Sequence, residues 1–196
     1  MWIEYTNEKC FENILSMLKY RGWVTENEIK FAREKFEKSS DKNHITNIAL
    51  SSTIGDYDEV TIIMYLEEDV IDLGKLDSYL RKDENVKKLF VYNPVLYSKK
   101  IKVFDKPKDN FYWIEIINMN YLIIDLPTHY LSTKHAIVDK NLDIFSPGSI
   151  WDSRLLETIY HSDPQAKYIG AKINDIIKII TEEKIKYRKC IYGYVD

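Results

Sequence analysis

Two histidines and a lysine lie close together in the sequence and could suggest a metal or acid–base site. They are His129, Lys134 and His135. A metal ion in a protein normally needs three or four ligands, and neither a cysteine pair nor an aspartate cluster lies nearby in the sequence. We therefore predict no metal site. We expect the histidines to pair with backbone groups at the junction of two domains.

Asp163 has a carboxylate that could act in catalysis, but its neighbours indicate a structural role. It directly precedes Pro164, and Gly170 follows after a short segment without breakers. Aspartate is a preferred N-cap residue, proline is favoured at the first helical position, and glycine commonly ends a helix. The pattern predicts a short helix that begins at Asp163 and ends at Gly170.

Two further carboxylates, Asp109 and Glu115, leave a metal-dependent nuclease open as an alternative. The Glu-x-Lys element of such a site is missing, because Ile116 and Ile117 follow Glu115. The sequence also lacks the P-loop, GxGxxG, GxSxG and HExxH motifs. We therefore expect a chain that is not itself an enzyme and needs no cofactor.

The densest basic stretch consists of Lys99, Lys100, Lys102, Lys106 and Lys108. The whole chain of 196 residues nevertheless has a net charge of −3. A protein that grips nucleic acid alone usually carries a basic excess. The stretch is thus either a solvated face or a weak contact with DNA phosphates made within an assembly.

Helices and strands alternate in the first part of the chain, which predicts an α/β domain over residues 1–120. One helical face carries Phe11, Ile14, Leu15 and Leu18 before Gly22, and Thr25 with Glu28 resembles a capping box at the start of a second helix. Apolar runs predict strands at 59–66, 86–92 and 111–117, with short helices after Gly74 and from Pro94 to Val103. We expect a mixed sheet with flanking helices.

Residues 121–196 are predicted to form a smaller α+β domain. The run at 121–126 is strand-like, the Asp163 helix follows, and strands at 175–180 and 189–195 form a hairpin across 181–188. About 70 residues is near the lower limit for an independent core. Such a domain with an exposed strand edge is suited to docking on a partner.

Cysteine usage and hydropathy bear on the compartment. Cys10 and Cys190 form neither a disulfide framework nor a CxxC pair, as expected in a reducing compartment. The first residues show no apolar segment typical of a signal peptide. Because no apolar run reaches the ~18 residues of a membrane span, we expect no membrane partner.

Two segments of the second part resemble the fifth-subunit family of eukaryotic-type RNA polymerases. The family's His-x-Leu-x-Pro-x-His is matched by His129, Leu131 and His135, and Thr133 replaces the proline. The second family pattern is Asp-Pro-x-Ala-(Arg/Lys)-Tyr-x-Gly-x-Lys, followed by Gly-Asp and an apolar strand with a lysine. Residues 163–178 match it. The matching residues are Asp163, Pro164, Ala166, Lys167, Tyr168, Gly170, Lys172, Asp175 and Lys178, and Asn174 replaces the glycine. Residues 17–23 resemble the family's Met-Leu-x-x-Arg-Gly-Tyr, so the resemblance covers nearly the whole chain.

This family comprises the subunit shared by the three nuclear RNA polymerases, and its archaeal homologue is similar to the C-terminal part alone. The resemblance implies a non-catalytic subunit of DNA-directed RNA polymerase. Its N-terminal domain would form part of the lower jaw near downstream DNA, with Lys99, Lys100 and Lys102 close to the duplex. Its C-terminal assembly domain would dock on the largest subunit, beside neighbouring small subunits. The implied interface residues are His129, Tyr130, Leu131, Lys134, His135, Asp163, Pro164, Tyr168, Gly170, Lys178, Arg188 and Tyr192.

The last strand departs from the family pattern. Of the arginines and tyrosines that the family has there, Arg188 and Tyr192 keep their places, and Gly193 replaces an arginine. Such drift would suit a homologue in a large DNA virus or a fast-evolving eukaryote. We accordingly expect the nucleus if the protein is cellular, and the virion or host cytoplasm if it is viral. A stand-alone regulatory or decoy protein derived from this subunit stays an alternative.

Overall fold

The computed structural model describes residues 7–39, 44–65, 78, 82–93, 113–129 and 132–193. The chain divides into two compact units, Met1–Ile123 and Ile124–Asp196. Each unit contains a four-stranded sheet with both parallel and antiparallel pairs. This confirms the predicted mixture of helices and strands with some parallel pairing.

Two helices open the N-terminal unit. Helix α1 (Asn7–Tyr20) buries the predicted apolar face, and Gly22 ends it with φ at +66°. Helix α2 (Glu26–Lys38) begins after Thr25, whose hydroxyl accepts a hydrogen bond from the Glu28 N–H at 3.3 Å. The Glu28 carboxylate accepts instead from the Ser51 N–H at 2.9 Å. The Glu28 side chain of the predicted capping box therefore connects α2 to the sheet.

The sheet of this unit has the order β1-β2-β3-β4. Strand β1 (His44–Ser51) is antiparallel to β2 (Glu59–Tyr65), while β3 (Val86–Tyr92) is parallel to both β2 and β4 (Ile114–Asn118). Interior strand β3 is buried from Lys87 to Tyr92. These positions confirm the predicted strands β2 and β3.

The sequence-based predictions for the N-terminal unit missed one strand, misplaced the start of another, and partly concern residues that the structure does not describe. Strand β1 was not predicted, because a bulge between Ile45 and Ile48 interrupts its alternation. The third predicted strand begins at Ile114 among the described residues rather than at Phe111. The helices expected after Gly74 and from Pro94 to Val103 lie outside the described residues. So do Asp109 and the lysines Lys99, Lys100, Lys102, Lys106 and Lys108.

The C-terminal unit packs one short helix on a second sheet. Its elements are β5 (Lys134–Val138), β6 (Glu157–Tyr160), α3 (Pro164–Ile169), β7 (Ile176–Ile180) and β8 (Ile185–Ile191). The strand order is β5-β7-β8-β6, with β7 antiparallel to both neighbours and β6 parallel to β8. Ala166 and Ile169 of α3 pack in one core cluster with Ile159, Ile177, Ile179 and Cys190.

Two predicted strands of this part of the chain need correction. The strand at 121–126 is wrong, because Met119–Leu122 form a 3-10 helix in which the Asn118 side chain accepts from the Asn120 N–H at 2.9 Å. The last strand begins at Ile185 rather than at Lys189. Thr181 closes a tight turn onto the carbonyl of Lys184 with its N–H at 3.0 Å and its hydroxyl at 2.9 Å, so the polar linker is shorter than predicted.

Candidate functional site

The residues around Asp163 build and end helix α3. Asp163 Oδ1 accepts from the N–H groups of Gln165 at 2.8 Å and Ala166 at 3.3 Å. Pro164 occupies the first turn, and Gly170 adopts the left-handed conformation at φ +72°. The predicted capped helix is confirmed, and the Asp163 carboxylate is occupied by backbone donors.

Helix α3 is also tied to the segment that carries His129. The Tyr168 side chain is buried, and its hydroxyl donates to Asp125 Oδ1 at 2.7 Å. Gln165 Nε2 donates to the Ser132 hydroxyl at 2.5 Å. These two bonds fix Asp125 and Ser132 against the helix. Tyr130 and Leu131 lie outside the described residues.

The two histidines of the first motif are placed differently. His135 is buried, and its Nδ1 lies 2.9 Å from the Thr133 carbonyl oxygen. Because a carbonyl can only accept, Nδ1 carries the proton. His129 is half-buried, and its backbone carbonyl accepts from the Ser132 N–H at 2.9 Å. Within the described residues, no three His, Cys, Asp or Glu side chains are grouped to hold a metal ion.

Two departures from the family pattern have local explanations. Asn174 stands where the family has glycine and adopts φ +72°, a conformation that asparagine tolerates better than most residues. At Gly193, which replaces an arginine, any Cβ would collide with the ring of Tyr160. An arginine therefore fits there only if Tyr160 moves.

The face of the second sheet opposite α3 is partly exposed. Side chains alternate between the faces of a strand, so Ile177 and Ile179 face the helix while Lys178 and Ile180 face away. The register places Lys134 and Ile185 on either side of Ile180, and Ala136 and Tyr187 on either side of Lys178. We call this surface the outer face; it consists of Lys134, Ala136, Lys178, Ile180, Ile185 and Tyr187. Ile180 is 38% and Ile185 45% exposed.

Two further predicted interface residues, Arg188 and Tyr192, do not belong to the outer face. Arg188 belongs to the α3 side of the sheet and forms an ion pair of 3.0 Å with Glu157. Tyr192 is 41% exposed and stacks on His161 with the ring centres 5.5 Å apart. The structure therefore brings Lys134 and Lys178 to one surface, but it does not bring Arg188 to them.

Sequence reasoning missed Ile180 and Ile185 as surface residues. Both flank the turn that was predicted too long. The available signal was the alternation of apolar and polar residues in Ile185–Ile191. This alternation indicates a strand with two unlike faces.

Glu115, the described member of the possible nuclease pair, is held by an arginine. Arg21 donates two hydrogen bonds to its carboxylate, at 2.7 and 2.9 Å. The Arg21 side chain is 1% exposed and its guanidinium lies 4.5 Å from the centre of the Trp23 ring. Arg21 and Trp23 of the 17–23 motif thus join α1 to β4 inside the N-terminal unit.

The two cysteines are unsuited to nucleophilic chemistry at neutral pH. Burial raises the pKa of Cys10 to about 12 and that of Cys190 to about 11. The thiolate is the reactive form, so both thiols stay protonated. They contribute to the cores of their units.

These contacts define the C-terminal unit as a small α+β domain with one helix packed on a four-stranded sheet. Its motif residues hold α3 in place, and its outer face carries exposed apolar side chains of the kind found at protein–protein contacts. Residues 124–195 match the family described as RNA polymerase Rpb5, C-terminal domain. The C-terminal unit is therefore an Rpb5-like domain of an RNA polymerase subunit, and the predicted resemblance is confirmed for this part of the chain.

The match assigns the domain to transcription, and the family domain is that of a non-catalytic polymerase subunit. No curated protein matches the chain. In the described part of the chain, every helix is too short or too polar to cross a membrane.

Proposed function

We propose that the whole chain is a non-catalytic subunit of a multisubunit DNA-directed RNA polymerase and that its C-terminal unit docks on the largest subunit. The observation that carries this proposal is the family match over residues 124–195. The outer face supports it, because Ile180 and Ile185 are exposed side by side on neighbouring strands. Complete burial of such a side chain contributes about 1.5–3 kcal/mol.

Charge on the outer face favours a particular kind of partner surface. Lys134 pairs with Ile180 across the strands, and Lys178 lies one row further along the sheet. A partner surface with an apolar centre and acidic residues at its edge would satisfy both features. Tyr168 and His135 are buried, so in this proposal they hold the docking surface in shape and do not contact the partner.

Affinity purification of the tagged full chain tests the proposal. We expect the polymerase subunits to co-purify in equal stoichiometry with the chain. The variant Lys178→Glu should reduce this recovery, while Lys30→Glu, which makes the same charge change on the exposed side of α2, should not. Recovery of the free largest subunit without the rest of the polymerase would support a decoy protein instead, and recovery of no polymerase subunit would refute the proposal.

We further propose that the N-terminal unit forms part of the lower jaw near downstream DNA. The support is the resemblance of residues 17–23 and the basic stretch with Lys99, Lys100 and Lys102. Replacing these three lysines with glutamate should flatten the salt dependence of template binding by the assembled polymerase. Replacing Lys30, Lys35 and Lys38 of α2 is the matched control, and an unchanged salt slope in the first variant would contradict the jaw role.

A polymerase subunit works where its template is transcribed. We therefore propose that the chain acts in the nucleus if it is cellular, and with the viral transcription machinery if it comes from a large DNA virus. Fluorescence microscopy of the tagged chain together with the tagged largest subunit would test this, and separate locations of the two would contradict it.

A further inference from the structure

The loop between β5 and β6 exposes several aliphatic side chains. In what we call the 142–155 loop, Leu142 and Ile144 are 48% and 45% exposed, Ile150 is 94% exposed and Leu155 is 83% exposed. Single exposed aliphatic residues are common on protein surfaces, whereas several in one place indicate an interaction site. Ile150 and Leu155 have almost no contact with their own unit.

The 142–155 loop is held in a defined conformation by Asp152. This buried carboxylate accepts from the Gly148 N–H at 2.9 Å, from the Arg154 N–H at 3.0 Å and from the Arg154 guanidinium at 2.6 Å. The Ser149 hydroxyl also donates to the Ile144 carbonyl at 2.6 Å. Ile150 therefore cannot turn inward unless these bonds break, and a loop that is already ordered loses little entropy on binding.

The same loop is anchored to the second sheet by aromatic contacts. The rings of Phe145 and Trp151 meet the Tyr187 ring edge-to-face, with centres 5.2 and 5.0 Å apart. Phe145 is buried. Because Tyr187 belongs to the outer face, the 142–155 loop directly adjoins the surface proposed above for docking.

Charge decides which class of partner this loop fits. Residues 139–157 contain two basic and four acidic side chains. Asp152 is paired with Arg154 and Glu157 with Arg188 of β8, which leaves Lys140 against Asp139 and Asp143. Nucleic acids and anionic membrane surfaces are negatively charged and attract basic segments. The acidic excess therefore disfavours both and favours a protein surface with basic residues at its edge.

We propose that the 142–155 loop inserts Ile150 and Leu155 into an apolar groove with a basic rim on a neighbouring protein chain of the polymerase. This inference rests on the proposed function, since it adds a second contact beside the outer face. Burial of each side chain should strengthen the association about tenfold or more, so loss of both should weaken it about a hundredfold.

A competition experiment tests the inference in the assembled enzyme. Differently tagged wild-type and variant full chains are produced together, and the polymerase is purified through a tag on its largest subunit. We expect the double variant Ile150→Ser/Leu155→Ser to be nearly absent from the purified polymerase. The control Ile124→Ser, at a residue that is 43% exposed outside the loop, should compete equally with wild type.

A second variant separates loss of binding from loss of folding. Ile150→Leu/Leu155→Met keeps the apolar character and should restore incorporation to near the wild-type level. Equal incorporation of the serine variant, or equal loss of the serine variant and the control, would overturn the loop proposal and leave the proposed function standing. Absence of the wild-type chain from the polymerase would overturn both. Concentration-dependent dimerisation that the serine variant abolishes would show a second copy of the chain to be the occupant, and would also overturn the proposal.

Discussion

Replacement of Tyr168 by phenylalanine distinguishes a structural from a direct docking role for a predicted interface residue that is almost fully buried. The side chain is 2% exposed, and its hydroxyl donates to Asp125 Oδ1 at 2.7 Å. Phenylalanine keeps the ring and removes this bond. We expect a loss of stability in the C-terminal unit with no change in incorporation into the polymerase.

The size of the expected stability loss follows from the surroundings of Tyr168 and Asp125. A hydrogen bond to a charged group contributes about 1.5–3 kcal/mol to the free energy of unfolding. Asp125 is half-buried, and its Oδ2 also lies 3.3 Å from the Thr128 hydroxyl, so the carboxylate is partly compensated when Tyr168 is changed. We therefore expect a loss of about 1–2 kcal/mol, and for a domain of this size each kcal/mol lowers the Tm by about 4–8 °C.

Hydrogen exchange of the amides in α3 and β7 measures this loss within the C-terminal unit itself. A double-mutant cycle with Asp125→Ala isolates the pair, and the two changes together should cost clearly less than the sum of the single changes. Additive costs would refute the assigned bond. A Tyr168→Phe chain that is fully stable but missing from the polymerase would show that the hydroxyl contacts a partner.

Three further predictions concern other contacts. Glu115→Ala removes the carboxylate from the buried Arg21 guanidinium and should cost about 3–5 kcal/mol in urea unfolding, whereas a nuclease activity lost in this variant would support the catalytic alternative. Asp163→Ala should lower the stability of α3 by about 1 kcal/mol and Asp163→Asn by much less, because asparagine also caps helices. Equal stability losses for the two variants, measured by hydrogen exchange of the α3 amides, would contradict the cap. The Arg154 guanidinium and the surrounding N–H groups hold the pKa of Asp152 well below its usual range. The contribution of the ionised Asp152 carboxylate to stability is therefore fully present above a pH of about 4 and is lost as the pH falls towards the depressed pKa. NMR of Trp151 should show an acid transition that Asp152→Asn abolishes.

Much of the fold follows from local sequence signals. Strand β3 has the predicted bounds because the apolar run from Leu89 to Tyr92 is buried inside the sheet and Val86 begins the strand. Helix α3 has the predicted ends because Asp163 and Gly170 satisfy the orphan backbone groups of the helix. Such elements are determined by residues that lie next to each other in the chain.

Elements at the edges of the sheets were harder to predict. Strands β5 and β6 are short and mostly exposed, so they lack an apolar pattern and form because β7 and β8 offer them hydrogen bonds. The run at 121–126 looked like a strand, yet Ile124 is exposed and Leu122 alone of its residues is buried. A segment with a single buried residue has no buried face that would need to pack as part of a sheet.

The candidate docking surface was predictable only in part. The sequence motifs located α3 and Tyr168, which hold the unit together from inside. The exposed residues Ile180, Ile185 and Ile150 carry no motif, and their exposure depends on which strand face α3 covers and on how Asp152 shapes a loop. The covering of one sheet face by α3 is a tertiary contact between residues distant in sequence, which local patterns do not encode. The bonds of Asp152 to Gly148 and Arg154 are local, but they belong to no recognised sequence motif.

Cross-linking mass spectrometry of the polymerase purified with the tagged chain tests the central claim most directly. If the C-terminal unit docks through its outer face, Lys134 and Lys178 should cross-link to one common region of the largest subunit. Lys30 of α2, which is not on the outer face, should not cross-link to that region. Cross-links from Lys134 and Lys178 confined to this chain itself, in a preparation that contains the intact polymerase, would contradict the account.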